Sequence, residues 1–188
     1  MNIPNTTQLV LVAVIFLVIG VVAAMAVMRA QRTKRLKERF GPEYERIVNE
    51  TGDKRKAEEE LEARVDHVKT LDIRPLSAEE VNRYALQWQN VQTEFVDDPL
   101  AALQKGDRLI QEVMKARGYP VDDFEQRTAD ISVDYPELVT DYRGLHLIAV
   151  KDKEDKVSTE EMRQAMVHGR ALFENLVSAQ EEDQKEKI

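Results

Sequence analysis

The chain has 188 residues, a formal net charge of −8 and no cysteine, which excludes disulfides, thiolate metal sites and cysteine nucleophiles. The charge is divided unevenly, since residues 29–40 carry a net charge of +5 and residues 41–188 carry −13. An acidic body argues against a nucleic-acid partner, because nucleic-acid-binding domains present a positive surface.

The first predicted element is a transmembrane helix over residues 9–28, twenty residues without a charge. Such a helix is about 30 Å long, which matches the hydrocarbon core of a bilayer. The alternative is a cleaved signal peptide, with a cleavage-like sequence that ends at Ala26. The preceding tail, residues 1–8, has no Lys or Arg, and the apolar segment exceeds the usual length of a signal peptide. These two features favour an anchor.

A basic juxtamembrane helix is predicted over residues 29–40, directly after the apolar segment. By the positive-inside rule, it predicts a single-pass protein with an external N-terminus and a cytoplasmic soluble domain. We expect its cationic side chains to contact anionic lipid headgroups, at about 1 kcal/mol for each basic residue near the surface. These side chains belong to Arg29, Arg32, Lys34, Arg35, Lys37 and Arg39.

Residues 41–74 are predicted to form a charged helical stalk. Gly41 and Pro42 favour a helix break, and a short helix is expected from Pro42 to about Asn49. Residues 53–69 then contain five basic and six acidic residues, many of them spaced to pair at i and i+4. The apolar stripe of this helix is thin. It could support a short coiled coil or dock on the domain, but it could not form a core alone.

An antiparallel helical bundle is predicted for residues 75–179, which makes the fold class all-α with one transmembrane helix. The motifs Ser77-Ala-Glu-Glu80 and Ser158-Thr-Glu-Glu161 are capping boxes that start helices. Asp98 and Pro99 predict a third helix start. No segment of comparable length alternates with a period of two, and short connections favour antiparallel neighbours. A polar tail, 180–188, follows.

Two further helices are expected between these starts, one from about Val121 to Ser132 and one that Pro136 opens. Gly106 and Gly169 each interrupt the apolar face of a predicted helix, at a cost of about 1 kcal/mol against alanine. We interpret them as positions of close packing, where Trp88 or a helix backbone covers the missing side chain; the alternative is that both are tolerated defects. Trp88 is interpreted as a core residue.

No motif for catalysis or for cofactor binding is present. The glycines form neither GxGxxG nor GxxxxGK[ST], and the metalloprotease, di-iron and EF-hand patterns are missing. The sequence therefore predicts a protein that is not an enzyme and that has no cofactor and no metal site. His146 is interpreted as a hydrogen-bonded histidine at the boundary of the core.

An acidic stretch spans residues 119–141, with seven carboxylates and one basic residue, Arg127. It could be a docking patch for a basic partner or a weak site for a divalent cation. The interpretation we prefer is a solvated acidic face whose carboxylates favour helix N-termini. The candidate docking residues are Asp122, Asp123, Glu125, Asp130 and Asp134.

Four segments of the soluble part carry a resemblance to known sequences. They are residues 36–77, RYALQWQNVQTEFVDDPLAAL, ARGYPVDDFEQRTADISVDYPELVTDYR and TEEMRQAMVHGRALFENL. They resemble a recurrent bacterial family of short proteins with one N-terminal hydrophobic segment and no assigned activity, which are labelled membrane or secreted proteins. The resemblance implies a bacterial origin and an anchored helical domain. Together with the basic residues after the apolar segment, it predicts a location in the inner membrane. It carries over no catalytic residue.

The leading functional hypothesis is a membrane-anchored protein-interaction or scaffold module with an unidentified protein partner. A homodimer is a further possibility. The second hypothesis is a secreted or periplasmic helical protein released by cleavage near Ala26. The third, a metal-dependent enzyme that uses the carboxylates of residues 119–146, has the least support.

Overall fold

A computed structural model describes residues 6–151 and 157–178 of the chain. These residues form eight α-helices and no strand, which confirms the all-α prediction for the described part. The helices are α1 (Thr6–Phe40), α2 (Pro42–Thr51), α3 (Lys54–Val68), α4 (Ala78–Glu94), α5 (Pro99–Arg117), α6 (Phe124–Asp134), α7 (Val139–Ala149) and α8 (Thr159–Ser178). The chain divides into two compact units, one that ends at Arg39 and one that begins at Phe40.

The first unit is most of the long helix α1. Its segment Val14–Phe40 is long and apolar enough to cross a membrane, and its apolar window is not buried. An N-terminal signal sequence would meet the same criteria. The predicted membrane segment and the basic segment after it belong to one continuous helix. Because α1 begins at Thr6, only residues 1–5 of the predicted N-terminal tail lie outside the described residues, as does the whole polar tail, 180–188.

The predicted stalk forms α2 and α3, which begin the second unit. Gly41 has a φ of +48°, which suits glycine, and Pro42 follows at the start of α2. Asp53 caps α3 by accepting backbone N–H groups from Arg55 and Lys56. The apolar stripe of α3 is buried, with Ala57 and Leu61 at 0% exposure. Since α3 packs against α2 and α6, this segment docks on the bundle instead of extending from it.

The core of the second unit surrounds α5, which packs against α4, α7 and α8. Trp88 of α4 is buried and stacks on Phe173 of α8, with ring centroids 4.6 Å apart. A Cβ atom on Gly106 would lie 3.5 Å from the Trp88 ring, and one on Gly169 would lie 3.6 Å from it. The close packing predicted at both glycines is therefore confirmed.

The helix starts follow their caps. Ser77 and Glu80 form the predicted capping box, and Asp98 caps α5 with Pro99 in its first turn. The predicted start at Val121 is wrong, because Asp123 caps α6 by accepting the Gln126 N–H and the helix begins at Phe124. The start at Pro136 is also wrong, since that residue lies in a turn before α7.

Candidate functional site

The second unit has a cleft of about 690 Å³ among α2, α3 and α6. We call it the α2–α3–α6 cleft. Four carboxylates and two guanidinium groups line it, so its charge balance is acidic. The lining residues are Arg46, Ile47, Glu50, Thr51, Glu60, Ala63, Arg64, His67, Asp123, Glu125, Gln126 and Ala129.

A buried carboxylate, Glu43, binds the two arginines that line the cleft, Arg46 and Arg64. Its side chain has no solvent exposure, and three arginines from three helices surround it. Arg46 binds both carboxylate oxygens at 2.8 Å, and Arg143 binds both at 3.0 Å. Arg64 donates a further bond to Oε1 at 3.0 Å. These bonds connect α2, α3 and α7, although Arg143 lies 100 residues from Glu43 in the sequence.

The arginines hold Glu43 in its charged form. Burial alone would raise the pKa of this carboxyl, but the hydrogen bonds and positive charges of Arg46 and Arg143 lower it to about 2. Two outer carboxylates add to the cluster, because Glu50 binds Arg46 and Glu60 binds Arg64. Both guanidinium groups that line the cleft are therefore paired with carboxylates on two sides.

Four of the five predicted docking residues are exposed on α6 or directly before it, and three of them lie at its N-terminus. Asp122, Asp123 and Glu125 face solvent, and Asp123 and Glu125 line the cleft. Asp123 uses one oxygen as the helix cap. The Glu125 backbone carbonyl accepts a hydrogen bond from the Thr128 hydroxyl at 2.9 Å, whereas its carboxylate makes no hydrogen bond or ion pair with the residues that the structure describes, although its charge acts on Arg46. Asp134 is exposed, but it accepts a hydrogen bond of 2.6 Å from the Tyr119 hydroxyl.

Asp130 does not belong to the docking surface that the sequence predicts. Its side chain is completely buried, so it is not available on the protein surface. The Oδ1 atom accepts a hydrogen bond from Gln126 at 2.8 Å and lies 3.6 Å from His67 Nε2. The Oδ2 atom has no hydrogen-bond partner in the described part of the chain. Burial raises the pKa of this carboxyl above its ordinary value.

The predicted lipid-binding residues all lie in the C-terminal third of α1. Five of them are exposed, and Arg32 is half-buried. Lys34 forms an ion pair with Glu38 one turn later, at 3.7 Å. Within the first unit, the helix therefore presents basic side chains directly after its apolar segment, which is the arrangement that topology signals need.

An aspartate–histidine pair lies apart from the cleft. Asp107 of α5 is buried, and its Oδ2 lies 3.0 Å from His146 Nδ1 of α7. Phe124 stacks on the imidazole, with centroids 3.9 Å apart. The interpretation of His146 as a hydrogen-bonded boundary residue is confirmed. The sequence alone does not identify Asp107 as its partner, because the two residues are 39 positions apart.

No protein-family model, curated protein or solved structure matches this chain. The resemblance to a bacterial family therefore stays a prediction. In residues 6–151 and 157–178, no group of three or more His, Cys, Asp or Glu side chains is placed to hold a metal ion. In the second unit, the cleft therefore has exposed carboxylates at its rim and two arginines that already bind carboxylates.

Proposed function

We propose that this protein is a single-pass, membrane-anchored interaction module whose helical domain faces the cytoplasm. The observation that carries the proposal is the order of residues in α1, where an apolar segment of membrane length passes directly into six basic residues. Basic residues after the apolar segment favour retention of the C-terminal side in the cytoplasm. A signal peptide would instead carry its positive charge before the apolar segment.

A non-enzymatic role is part of the proposal. The chain contains none of the catalytic or cofactor motifs considered above. The feature that stands out in the second unit is a charged cleft, and such a cleft suits recognition of a charged partner. Attachment to a membrane would concentrate the domain near partners that share the same surface.

The proposal is tested by protease protection in bacterial spheroplasts that produce the full chain with a C-terminal tag. We expect the tag to resist protease in intact spheroplasts and to be digested after detergent lysis. The intact mass should include the apolar segment. A tag that is digested in intact spheroplasts would contradict the cytoplasmic orientation.

The second candidate, a released periplasmic protein, has support from the sequence Ala24-Met25-Ala26. It predicts a soluble product that lacks about the first 26 residues, as expected for cleavage after a small-residue site. Mass spectrometry of the soluble and membrane fractions separates the two candidates in one experiment.

A further inference from the structure

We propose that the contact between α3 and α6 is a pH-sensitive joint, in which a proton on His67 holds α3 against the buried carboxyl of Asp130. Loss of that proton loosens the contact and leaves the rest of the bundle in place. The joint is internal to the second unit, so it works in the same way on either side of a membrane.

Asp130 supplies the buried half of the joint. Its side chain is completely buried, and its Oδ1 atom lies 3.6 Å from His67 Nε2, close enough for an ion pair when the imidazole is protonated. Gln126 donates an N–H to the same oxygen at 2.8 Å. Within residues 6–151 and 157–178, the Oδ2 atom has no hydrogen-bond partner. A negative charge on Asp130 therefore costs free energy unless His67 is positive.

His67 supplies the half that solvent can reach. Its side chain is 43% exposed, so it can exchange protons with water while Asp130 stays buried. Histidine is also the side chain whose charge changes most readily near neutral pH. The charged imidazole pairs with Asp130. The neutral imidazole leaves the carboxylate without a positive charge at that position, and α3 is then held on α6 more weakly.

Asp130 itself responds to pH in the same direction. Burial raises the pKa of this carboxyl above its ordinary value of 3.8, because the interior of the protein penalises the charged form. The stabilising contribution of the protonated form is therefore full below pH 3.8 and is lost as the pH rises through the folded-state pKa. Deprotonation of either group thus weakens the contact as the pH rises.

The other charges that act on Asp130 cannot take over the role of His67. Arg64 of α3 attracts the carboxylate, but its guanidinium group already binds Glu43 and Glu60. Asp134 lies one turn further along α6 and repels a charge on Asp130. His67 is therefore the positive group whose protonation state can change the contact.

Helix α7 packs on α6 as well, and its charged side chains have other partners. The pairs are Asp141 with His168, Arg143 with Glu43 and His146 with Asp107. The Tyr142 hydroxyl stays protonated, because burial raises its pKa. Titration of the two histidine pairs would act on α5, α7 and α8, so the location of a pH response identifies its source.

The cleft around His67 holds further charges from α2, α3 and the start of α6. They are Arg46, Glu50, Glu60, Arg64, Asp123 and Glu125. Four of these six are carboxylates, so deprotonation of His67 makes an acidic cleft more negative. This repulsion adds to the loss of the ion pair.

Two features keep α3 attached in both protonation states. Leu61 is fully buried, and Arg64 donates a hydrogen bond to the Ser132 hydroxyl of α6 at 3.2 Å. The joint therefore changes how often α3 opens locally and does not unfold the domain. In chain order, α2 and α3 lie between the first unit and α4, so local opening acts on the segment that connects the bundle to α1.

Hydrogen–deuterium exchange, read by mass spectrometry on peptides of the full chain in zwitterionic detergent micelles, tests the joint. Labelling at pH 6 and at pH 8 is compared after the exchange times are rescaled for the intrinsic effect of pH. We expect the amides of α3 to exchange about fivefold faster at pH 8, the effect of one partly exposed ion pair. Peptides from α4, which contains no histidine, should show no change.

Two variants and a matched control locate the effect. Asp130→Asn removes the buried charge, so α3 should exchange slowly at both pH values. His67→Gln removes the positive partner, so α3 should exchange quickly at both. The control is His168→Gln, because His168 is 41% exposed and lies 3.4 Å from Asp141, a similar pair elsewhere in the second unit. It should keep the wild-type response in α3.

Equal protection of α3 at pH 6 and pH 8 in the wild type would overturn the proposal. So would an equal response in α4, which would mean a general loss of stability, or a wild-type response in His67→Gln. Loss of the response in His168→Gln would also overturn it. If Asp130→Asn fails to fold, His67→Gln decides alone, since that side chain is partly exposed and its replacement adds no buried charge.

Discussion

At the scale of single residues, Glu43 is a fully buried carboxylate whose charge needs compensation inside the protein. A buried carboxylate loses its hydration, and only well-placed cations and hydrogen bonds offset that loss. Here five hydrogen bonds from Arg46, Arg64 and Arg143 do so. Removal of the negative charge would leave the three guanidinium groups close together with no counter-charge at their centre.

We expect Glu43→Gln to lower the free energy of unfolding by about 3 kcal/mol or more at pH 7. Because folding lowers the pKa of Glu43 from 4.5 to about 2, its contribution is full above pH 4.5 and is lost as the pH falls toward 2. The difference between the variant and the wild type should therefore stay constant from pH 7 to 5 and narrow below 4.5. Urea unfolding across this range measures it.

The control for this variant is Glu50→Gln, which removes a carboxylate that is 65% exposed and binds one of the same arginines. An exposed ion pair contributes less than about 1 kcal/mol, so Glu50→Gln should change the free energy of unfolding only slightly at every pH. If both variants lowered the free energy of unfolding equally, burial of the Glu43 carboxylate would not be the cause of its stabilising effect.

At the scale of helices, the packing of α4 against α5 and α8 depends on two glycines that differ in the space around them. A Cβ atom at Gly106 would meet Trp88 and Val91 at 3.5 Å, an ordinary contact distance. A Cβ atom at Gly169 would lie 2.8 Å from Leu145 Cδ2, so that side chain would have to move. The second position is the tighter one.

Gly169→Leu should lower the free energy of unfolding by about 1–3 kcal/mol, because a branched side chain cannot fit between Trp88 and Leu145. Gly106→Ala should raise it by up to about 1 kcal/mol, since alanine favours the helix and the space accepts its methyl group. Thermal melts test both predictions, with a lower melting temperature expected for Gly169→Leu and a higher one for Gly106→Ala. An unchanged melt for Gly169→Leu would contradict close packing at this position.

The docking of α3 gives a second prediction at this scale. Leu61 is fully buried, so Leu61→Ala should lower the free energy of unfolding by about 2–5 kcal/mol. In a stalk that extended away from the bundle, the same change would have little effect on the folding of the domain. Leu86→Ala on α4, where the side chain is 62% exposed, serves as the control and should leave the urea midpoint unchanged.

Helix starts with a complete capping signal are predictable from the sequence because capping is local, whereas the predicted starts at Val121 and Pro136 are wrong. Ser77 with Glu80 and Asp98 with Pro99 place two helices correctly. The docking of α3 is less predictable, since its thin apolar stripe suits more than one neighbour. The buried ion-pair cluster at Glu43 is hard to predict for a similar reason. In the sequence, nothing distinguishes Glu43 from the other glutamates, because its partner Arg143 lies 100 residues away. Asp130 likewise looks like its acidic neighbours, and only the packing of α6 buries it.

At the scale of the whole molecule, the basic residues of α1 should determine orientation. Replacing Arg29, Arg32, Lys34 and Arg35 with Gln removes most of the net positive charge of residues 29–40. By the positive-inside rule, a fraction of the chains should then insert with the tag outside. Protease protection measures that fraction. Replacement of Arg55, Lys56, Lys69 and Arg74, which lie further from the apolar segment, should leave the orientation unchanged.

The bond between Glu43 and Arg143 also has a consequence for the order of synthesis. A ribosome makes α1 and α2 long before α7, so the nascent chain can insert into a membrane while Glu43 still lacks one of its arginines. Domains of this size complete their packing only when the segments that contact each other have all emerged. A chain that stops before α7 would therefore keep its apolar segment but lack a finished domain, and the unfinished part would be open to proteolysis.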